Sequence, residues 1–202
     1  MLRFVGAALA AILIPFTIDA AVAASIPHDA ARYQRDLTRN ARLVWGMDAP
    51  VSVFAAQIHQ ESHWRTDASS VVGAQGMAQF MPATATWISG AYQLGEAQPN
   101  NPAWAMRALA TYDKALYDRA SGHTECDRMA KALWGYNGGE GWVKRDERRA
   151  AKSGADVLSW LAVEPFNSGR APAMFAENRG YPRNILLKWQ PIYALWGGGI
   201  AC

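Results

Sequence analysis

Apolar residues recur every three or four positions along most of the chain after residue 29, whereas strict alternation of apolar and polar residues is scarce. The first spacing is typical of amphipathic helices and the second of half-buried strands, so the pattern predicts an all-α protein. Helices are predicted over roughly 29–45, 50–63, 82–93, 102–120, 125–136, 140–152 and 182–196, with short turns around Asp156–Val163 and Pro172–Glu177.

Prolines and glycines mark the ends of these predicted helices. Proline fits the first helical position, because the N–H of that residue has no partner inside the helix. Glycine is common just past the last turn. No internal repeat, low-complexity tract or long linker divides the chain, so a single globular domain is predicted over 25–202. The prolines are Pro50, Pro82, Pro102 and Pro182, and the glycines are Gly46, Gly95, Gly122 and Gly138–Gly139.

Residues 1–24 have the pattern of a secretory signal peptide. Arg3 precedes an apolar run over 4–18, and "DAAVAAS" then offers small residues for cleavage after Ala23 or Ala24. An uncleaved anchor is the alternative, although the run is short for a bilayer span. No cysteine follows the cleavage region, so a lipid anchor is not supported there. We therefore expect a periplasmic or secreted protein with no stable membrane anchor after cleavage.

The charge pattern argues against a nucleic-acid partner. The formal net charge is only +3 at pH 7, and the densest cluster, "KRDERR" over 144–149, interleaves acids with bases. Such a mixture is typical of a solvated helix face.

Two cysteines, Cys126 and Cys202, lie in the part of the chain that would be exported. In an oxidising compartment this pair predicts one disulfide that ties the C-terminal residue to the body of the domain. Two free thiols are the alternative.

The stretch "IHQESHW" at 58–64 allows two chemical interpretations. Its histidines, His59 and His63, have the spacing with which a helix can bind zinc. On a helical wheel, however, they lie about 160° to 200° from Glu61, and the acid stands one position too late for a zinc-protease motif. No third ligand has a matching signature. No metal and no cofactor are therefore predicted.

The acid itself is the better candidate for chemistry. Val51, Phe54 and Ile58 form an apolar stripe whose next position is Glu61. A carboxyl that continues a core stripe loses hydration, which raises its pKa and lets it keep a proton near neutrality. The alternative is a glutamate that simply emerges at a frayed helix end.

Three blocks in order carry a family resemblance. Glu61 and Ser62 are followed by "ASSVVGAQGMAQFMP", then "GYNGG" at 135–139 and "ENRGYPRNI" at 177–185. Together they resemble the soluble lytic transglycosylases, whose catalytic domain is goose-lysozyme-like, over roughly residues 45–190. The sequence departs from the family pattern at Met77–Ala78, Gly135, Asn178 and Pro182.

The resemblance implies a lysozyme-like fold and cleavage of the bond between MurNAc and GlcNAc in peptidoglycan, with a 1,6-anhydro product. Glu61 would act first as general acid and then as base. Asn137 would contact substrate amides, Tyr136 and Tyr181 would flank the acid, and Glu177 would support it. Ser62 and Gln79 complete the expected substrate site.

Two other functions stay open. A goose-type lysozyme would use the same acid with water as acceptor, and a glycan-binding or assembly protein could keep the fold without catalysis. Nine tryptophans and seven tyrosines are compatible with sugar binding, although most are expected in the core. The expected partners are glycan strands and, given the small size, a secretion or conjugation apparatus. We expect a monomer.

Overall fold

The computed structural model describes residues 26–202. This part of the chain is helical, and its only extended pairing consists of two isolated bridges in the loop after the second helix. No helix in it is long and apolar enough to cross a membrane. The predicted signal peptide, 1–24, lies outside the described residues. The helices are α1 (Gln34–Trp45), α2 (Val51–Ser62), α3 (Pro82–Ala91), α4 (Pro102–Arg119), α5 (Glu125–Gly138), α6 (Glu140–Lys152), α7 (Trp160–Val163) and α8 (Pro172–Arg183).

Helix α2 is the central element, since every residue from Val51 to His59 is buried. It packs against α1 and against the C-terminal segments that follow α8, while α4 packs on α1 and α5. Helix α5 in turn packs on α6 and α8. Because α2 is buried along most of its length, the residues at its C-terminal end lie next to the hydrophobic core.

Several predicted helix starts are confirmed. Pro82 and Pro102 occupy the first turn of α3 and α4, as expected for a residue with no N–H to satisfy. Pro50 stands one residue earlier, as the N-cap of α2. The predicted helix over 29–45 consists of a 3-10 turn, His28–Tyr33, that leads into α1.

The prediction for the C-terminal helix was wrong. The segment over 172–177 is not a turn: Pro172 starts α8, and Pro182 lies inside that helix. Proline removes one backbone hydrogen bond from a helix interior. The chain then continues as a π-helical segment, Asn184–Trp189, and a 3-10 segment, Gln190–Trp196, instead of one regular helix. The other predicted turn, over 156–163, contains the four-residue helix α7.

A disulfide joins Cys126, near the start of α5, to the C-terminal Cys202, with 5.2 Å between the two Cα atoms. This agrees with the pairing predicted from the sequence. The bridge closes the chain between residues separated by 76 positions.

Candidate active site

Glu61 stands in the last turn of α2 and lines a cleft with a volume of about 290 Å³. The stripe that leads to it is buried as predicted, with Val51, Phe54 and Ile58 at most 1% exposed. His63 ends the helix in the left-handed conformation. The residues that line the cleft are Glu61, Ser70, Val72, Ala74, Gln79, Phe80, Met81, Thr84, Tyr112, Tyr136, Asn137 and Glu177.

The surroundings of Glu61 keep it protonated at neutral pH. Burial raises the pKa of its carboxyl from 4.5 to about 8. The hydrogen bond from Tyr181 acts in the opposite direction because it favours the charged form, whereas the nearby charge of Glu177 adds to the rise in pKa. The result is a carboxylic acid that can donate a proton near pH 7.

Two tyrosines enclose the acid. The Tyr181 hydroxyl donates to Glu61 Oε1, and the Tyr136 hydroxyl donates to the carbonyl oxygen of Ala78 at 2.7 Å. The two rings lie nearly parallel, with 6.5 Å between their centroids. Burial raises the pKa of both hydroxyls well above the usual value, so both stay neutral.

Asn137 and Glu177 form one polar wall of the cleft. The Asn137 amide donates to Glu177 Oε1 at 3.2 Å, and Asn137 Oδ1 accepts a hydrogen bond from Asn178 at 3.0 Å. Since these bonds fix which way the amide points, Asn137 is held in one orientation toward the cleft.

In the sequence Asn178 is only a departure from the family pattern. In the structure its side chain helps to orient Asn137, to which it donates a hydrogen bond. Asn178 is 1% exposed. Its oxygen accepts from Arg170 and Arg179, and both guanidinium groups also bind the buried carboxylate of Asp146. This cluster anchors the back of the cleft wall, and a single sequence offers no pattern that would predict it.

Gln79 lines the cleft and also holds the loop in which it lies. Its amide nitrogen donates to the carbonyl oxygens of Gly76 at 2.9 Å and Ala68 at 3.2 Å. Gly76 has φ +74°, and a Cβ there would lie 1.8 Å from the carbonyl oxygen of Pro99. Only glycine allows the two loops to approach this closely.

Ser62 lies behind the cleft and not in it. Its side chain is 1% exposed, and its hydroxyl donates to the Met77 carbonyl oxygen at 2.9 Å. The serine therefore ties the end of α2 to the cleft loop, where a bound glycan has no access to it. The Met77 side chain is also buried, and the methionine that lines the cleft is Met81, which is 42% exposed.

Five lining residues were not identified from the sequence, because none of them matches a position of the family motifs. Tyr112 comes from the middle of α4, where nothing in the helical pattern distinguishes it from a core aromatic residue. The others lie on the loop and at the start of α3. The five are Val72, Phe80, Met81, Thr84 and Tyr112.

A second buried acid lies near the first. Asp113 on α4 and Gln57, one turn before Glu61 on α2, are both 0% exposed, and neither side chain has a well-formed hydrogen bond within residues 26–202. Burial raises the pKa of Asp113 well above its ordinary value. The neighbouring Gln57 amide lowers that pKa, and the charge of Glu61 raises it further. Burial therefore favours the neutral, protonated form of the Asp113 carboxyl.

Of the two histidines in the same stretch, His59 is buried in the core, whereas His63 is exposed. His59 stacks on Trp189 with 4.2 Å between ring centroids, and its Nδ1 lies 2.8 Å from the Tyr193 hydroxyl oxygen. Burial, followed by the nearby His63, lowers the pKa of His59 to about 4. In the described part of the chain, no three His, Cys, Asp or Glu side chains are grouped so as to hold a metal ion. Asp67 is exposed and does not line the cleft.

A family model, the transglycosylase SLT domain, matches residues 45–159, which is more than half of the chain. The chain belongs to this family. The match contains Glu61, the cleft loop and the "GYNGG" block, whereas α8 with Glu177 and Tyr181 lies beyond it.

Curated relatives agree with this assignment. The chain is 34% identical over 109 residues to the membrane-bound lytic murein transglycosylase F of Maricaulis maris, covering 54% of this chain and 23% of the relative. It is 32% identical over 136 residues to membrane-bound lytic murein transglycosylase F 2 of Alkalilimnicola ehrlichii, covering 67% of this chain and 28% of the relative. The chain thus spans about a quarter of the length of these relatives.

Solved structures support the lysozyme-like fold of this family. The 70 kDa soluble lytic transglycosylase of Escherichia coli superposes with a TM-score of 0.62 at 22% identity, covering 84% of this chain and 26% of that one. An inactive mutant of the lytic transglycosylase Slt from Pseudomonas aeruginosa gives a TM-score of 0.62 at 24% identity, covering 84% of this chain and 25% of that one. The prediction of an all-α, lysozyme-like fold is therefore confirmed.

Proposed function

We propose that the protein is an exported peptidoglycan lytic transglycosylase that cleaves the β-1,4 bond between MurNAc and GlcNAc and leaves a 1,6-anhydro sugar end. The observation that carries the proposal is Glu61, a carboxylic acid that lines the cleft and whose pKa of about 8 keeps it protonated at neutral pH. Family membership and the names of the relatives supply the substrate class.

In the proposed reaction, Glu61 donates its proton to the glycosidic oxygen while the bond from that oxygen to the muramyl C1 breaks. The carboxylate that results then takes the proton of the muramyl C6 hydroxyl as the C6 oxygen bonds to C1. Protons balance, because the enzyme ends as it began. The C6 hydroxyl is part of the reacting sugar, so it is present at high effective concentration.

The surrounding groups support both halves of this reaction. The hydrogen bond from Tyr181 would stabilise the Glu61 carboxylate that forms after proton donation, because a hydrogen bond to the charged form favours it. Asn137, oriented by Asn178 and Glu177, offers amide groups that can recognise the N-acetyl substituents of the substrate.

A goose-lysozyme-type hydrolase is the second candidate, and one observation favours it. Glu177 is a second carboxylate on the wall of the cleft and lies close enough to Glu61 to raise its pKa. An inverting hydrolase needs such a group to activate water. Glu177, however, accepts a hydrogen bond from Asn137, which gives it a supporting place in the wall.

Product analysis distinguishes the two reactions. Purified murein is digested with the protein, and the muropeptides are compared by mass spectrometry with and without borohydride reduction. Anhydro products are lighter than hydrolysed ones by one water and gain no hydrogen on reduction. Products that are mainly reducible would establish the hydrolase and leave Glu61 as the acid.

The variant Glu61→Gln is the control for this experiment. The amide is nearly isosteric with the carboxylic acid but cannot donate the proton, so turnover should fall by roughly 10²–10⁴-fold or more. Near-normal murein clearing by this variant would remove Glu61 from the proposed role. Asp67→Asn, which changes an exposed acid outside the cleft, should remain active.

Export to the periplasm or beyond is part of the same proposal. It rests on the apolar N-terminal run with its small-residue cleavage site and on the disulfide, which suits an oxidising compartment. Mass spectrometry of the protein from the periplasmic fraction should give an N-terminus at Ala24 or Ser25. Action as a monomer, and service to a secretion or conjugation apparatus, remain predictions from the sequence.

A further inference from the structure

The cleft wall continues along α3 past the residues that line the cavity. Met81 and Thr84 line the cleft, and Trp87 follows three residues later on the same face of the helix. Trp87 is 50% exposed, whereas the other eight tryptophans, all of which lie within residues 26–202, are buried or half-buried.

A row of aromatic rings connects Trp87 to the catalytic acid. The indole lies 5.8 Å from the ring of Tyr112, and Tyr112 lies 5.5 Å from Tyr136, measured between centroids. Tyr136 is parallel to Tyr181, whose hydroxyl binds Glu61. Tyr112 and Tyr136 line the cleft, so the row runs from the acid to the protein surface along one wall.

Trp87 is also held in a defined orientation. Tyr92 and Tyr112 meet it nearly at right angles, with interplanar angles of 84° and 78°. Neither ring lies parallel on the indole, the arrangement that would cover a flat face most completely. A rigid aromatic residue that is half exposed loses little conformational entropy when a ligand packs on it, which is typical of binding platforms.

The surface around the indole is open. The exposed residues beside it on α3 are Ala83, Thr86, Gly90 and Ala91, all small. At Gly90, a Cβ atom would find no other atom within 4 Å. A flat ring of the size of a sugar can therefore lie against Trp87 without meeting a bulky neighbour.

We propose that Trp87 forms a distal subsite that binds one N-acetylated sugar ring of the glycan strand, beyond the sugars that flank Glu61. This proposal rests on the proposed function, since it takes the glycan strand as substrate. Continuity with the cleft favours a sugar over a protein partner, because a strand seated at Glu61 and running along this wall would reach Trp87. The apolar face of the sugar ring would pack on the indole.

The test measures binding of glycan oligomers of two lengths to the full exported chain carrying Glu61→Gln, which binds without turnover. Uncross-linked GlcNAc–MurNAc oligomers are used, a disaccharide and an octasaccharide, with calorimetry as the readout. Added Trp87→Ala should raise the dissociation constant of the octasaccharide by roughly tenfold and leave that of the disaccharide unchanged. Trp87→Phe, which keeps a flat ring, should restore most of the affinity.

Leu161→Ala is the matched control, since Leu161 is 52% exposed and lies on α7, outside the cleft. It should bind both oligomers normally. An octasaccharide affinity unchanged by Trp87→Ala overturns the subsite and points to a protein partner for this surface. An equal loss on both oligomers, or no recovery with phenylalanine, also overturns it. Should the unmodified chain fail to cleave murein, the proposed function fails, while a length-dependent loss of binding would still support the subsite.

Discussion

At the residue scale, the site depends on a carboxyl whose neighbours act on its proton in opposite directions. Burial is the main cause of the raised pKa of Glu61, the charge of Glu177 adds to it, and the hydrogen bond from Tyr181 opposes it. The stripe of apolar residues predicted the burial from the sequence alone. The two opposing neighbours come from α8, more than a hundred residues away, and only the family motif indicated them.

The first prediction concerns the pH profile of murein cleavage. In the proposed reaction Glu61 must be protonated before the bond breaks, so kcat/KM should fall as the pH rises through about 8, the pKa of Glu61 in the folded protein. Turbidity of a murein suspension at low substrate, measured from pH 5 to 10 at constant ionic strength, gives the profile. An alkaline limb near pH 5, where an ordinary glutamate would place it, contradicts the assignment.

The second prediction uses the two neighbours to move that limb in opposite directions. Tyr181→Phe removes a hydrogen bond that favours the charged form, so the apparent pKa should rise. Glu177→Gln removes a negative charge that disfavours it, so the apparent pKa should fall. Both variants are expected to cleave murein more slowly. The measured quantity is the midpoint pH of the alkaline limb, and a purely structural defect would not shift it upward in one variant and downward in the other.

At the element scale, the helix starts that were predicted from proline alone show which helix boundaries the sequence determines locally. Pro82 and Pro102 were predicted correctly because helix initiation is a local property of these residues. The prediction that Pro182 starts a helix was wrong, because a proline can also lie inside a helix where tertiary packing compensates for the lost backbone hydrogen bond. The deciding residue was Pro172, ten positions earlier, which starts α8.

The third prediction compares two glycines of the cleft loop. Both have positive φ, +89° at Gly73 and +74° at Gly76, but an added Cβ meets nothing at Gly73 and the Pro99 carbonyl oxygen at Gly76. Gly73→Ala should therefore cost only backbone strain, about 1–2 kcal/mol in the free energy of unfolding. Gly76→Ala adds a steric clash with the backbone, so it should cost about 3 kcal/mol or more and reduce activity by displacing Gln79. Urea unfolding of both variants decides, and equal costs would refute the close approach of the two loops.

The fourth prediction concerns the buried acid between α2 and α4. In the folded protein Asp113 binds its proton more tightly than in the unfolded chain, so the stability it contributes is present below its ordinary pKa of 3.8 and is lost as the pH rises. Asparagine cannot ionise. The stability of Asp113→Asn relative to the unmodified protein should therefore increase with pH above about 4, by at most about 1.4 kcal/mol per pH unit.

Thermal unfolding of Asp113→Asn and of the unmodified chain at several pH values from 4 to 8 tests this, with Asp67→Asn as the control for loss of an exposed carboxyl. A stability difference that stays constant or shrinks with rising pH would mean that Asp113 is ionised in the core. Hydropathy could not have predicted this acid, because α4 is amphipathic and an aspartate in it is expected on the solvated face.

At the scale of the whole molecule, the site is assembled from α2, the cleft loop, α4, α5 and α8. The three motif blocks indicated that the segments containing Gln79, Asn137 and Glu177 lie close together. All three residues line the cleft in the structure. Residues that act by long-range packing could not be found in this way. Tyr112 and Trp87 look like ordinary helical aromatics until the helices are placed side by side.

The last prediction concerns the disulfide, which is remote from the chemistry. Cys126 lies near the start of α5, whereas Tyr136 and Asn137 lie at its other end, about 15 Å away along the helix axis. The bridge spans 76 positions, and closing a loop of this length in the unfolded chain corresponds to a stabilisation of up to about 4 kcal/mol. Cys202→Ser should therefore lower the midpoint of thermal unfolding by roughly 10 °C and leave the rate of murein cleavage at 25 °C unchanged.

The melting curve is recorded without reductant, and dithiothreitol added to the unmodified protein should reproduce the shift. A variant that melts normally would show that packing alone holds the C-terminal segment on α2, and a variant that melts early but also cleaves slowly would show that this segment helps to position Glu61.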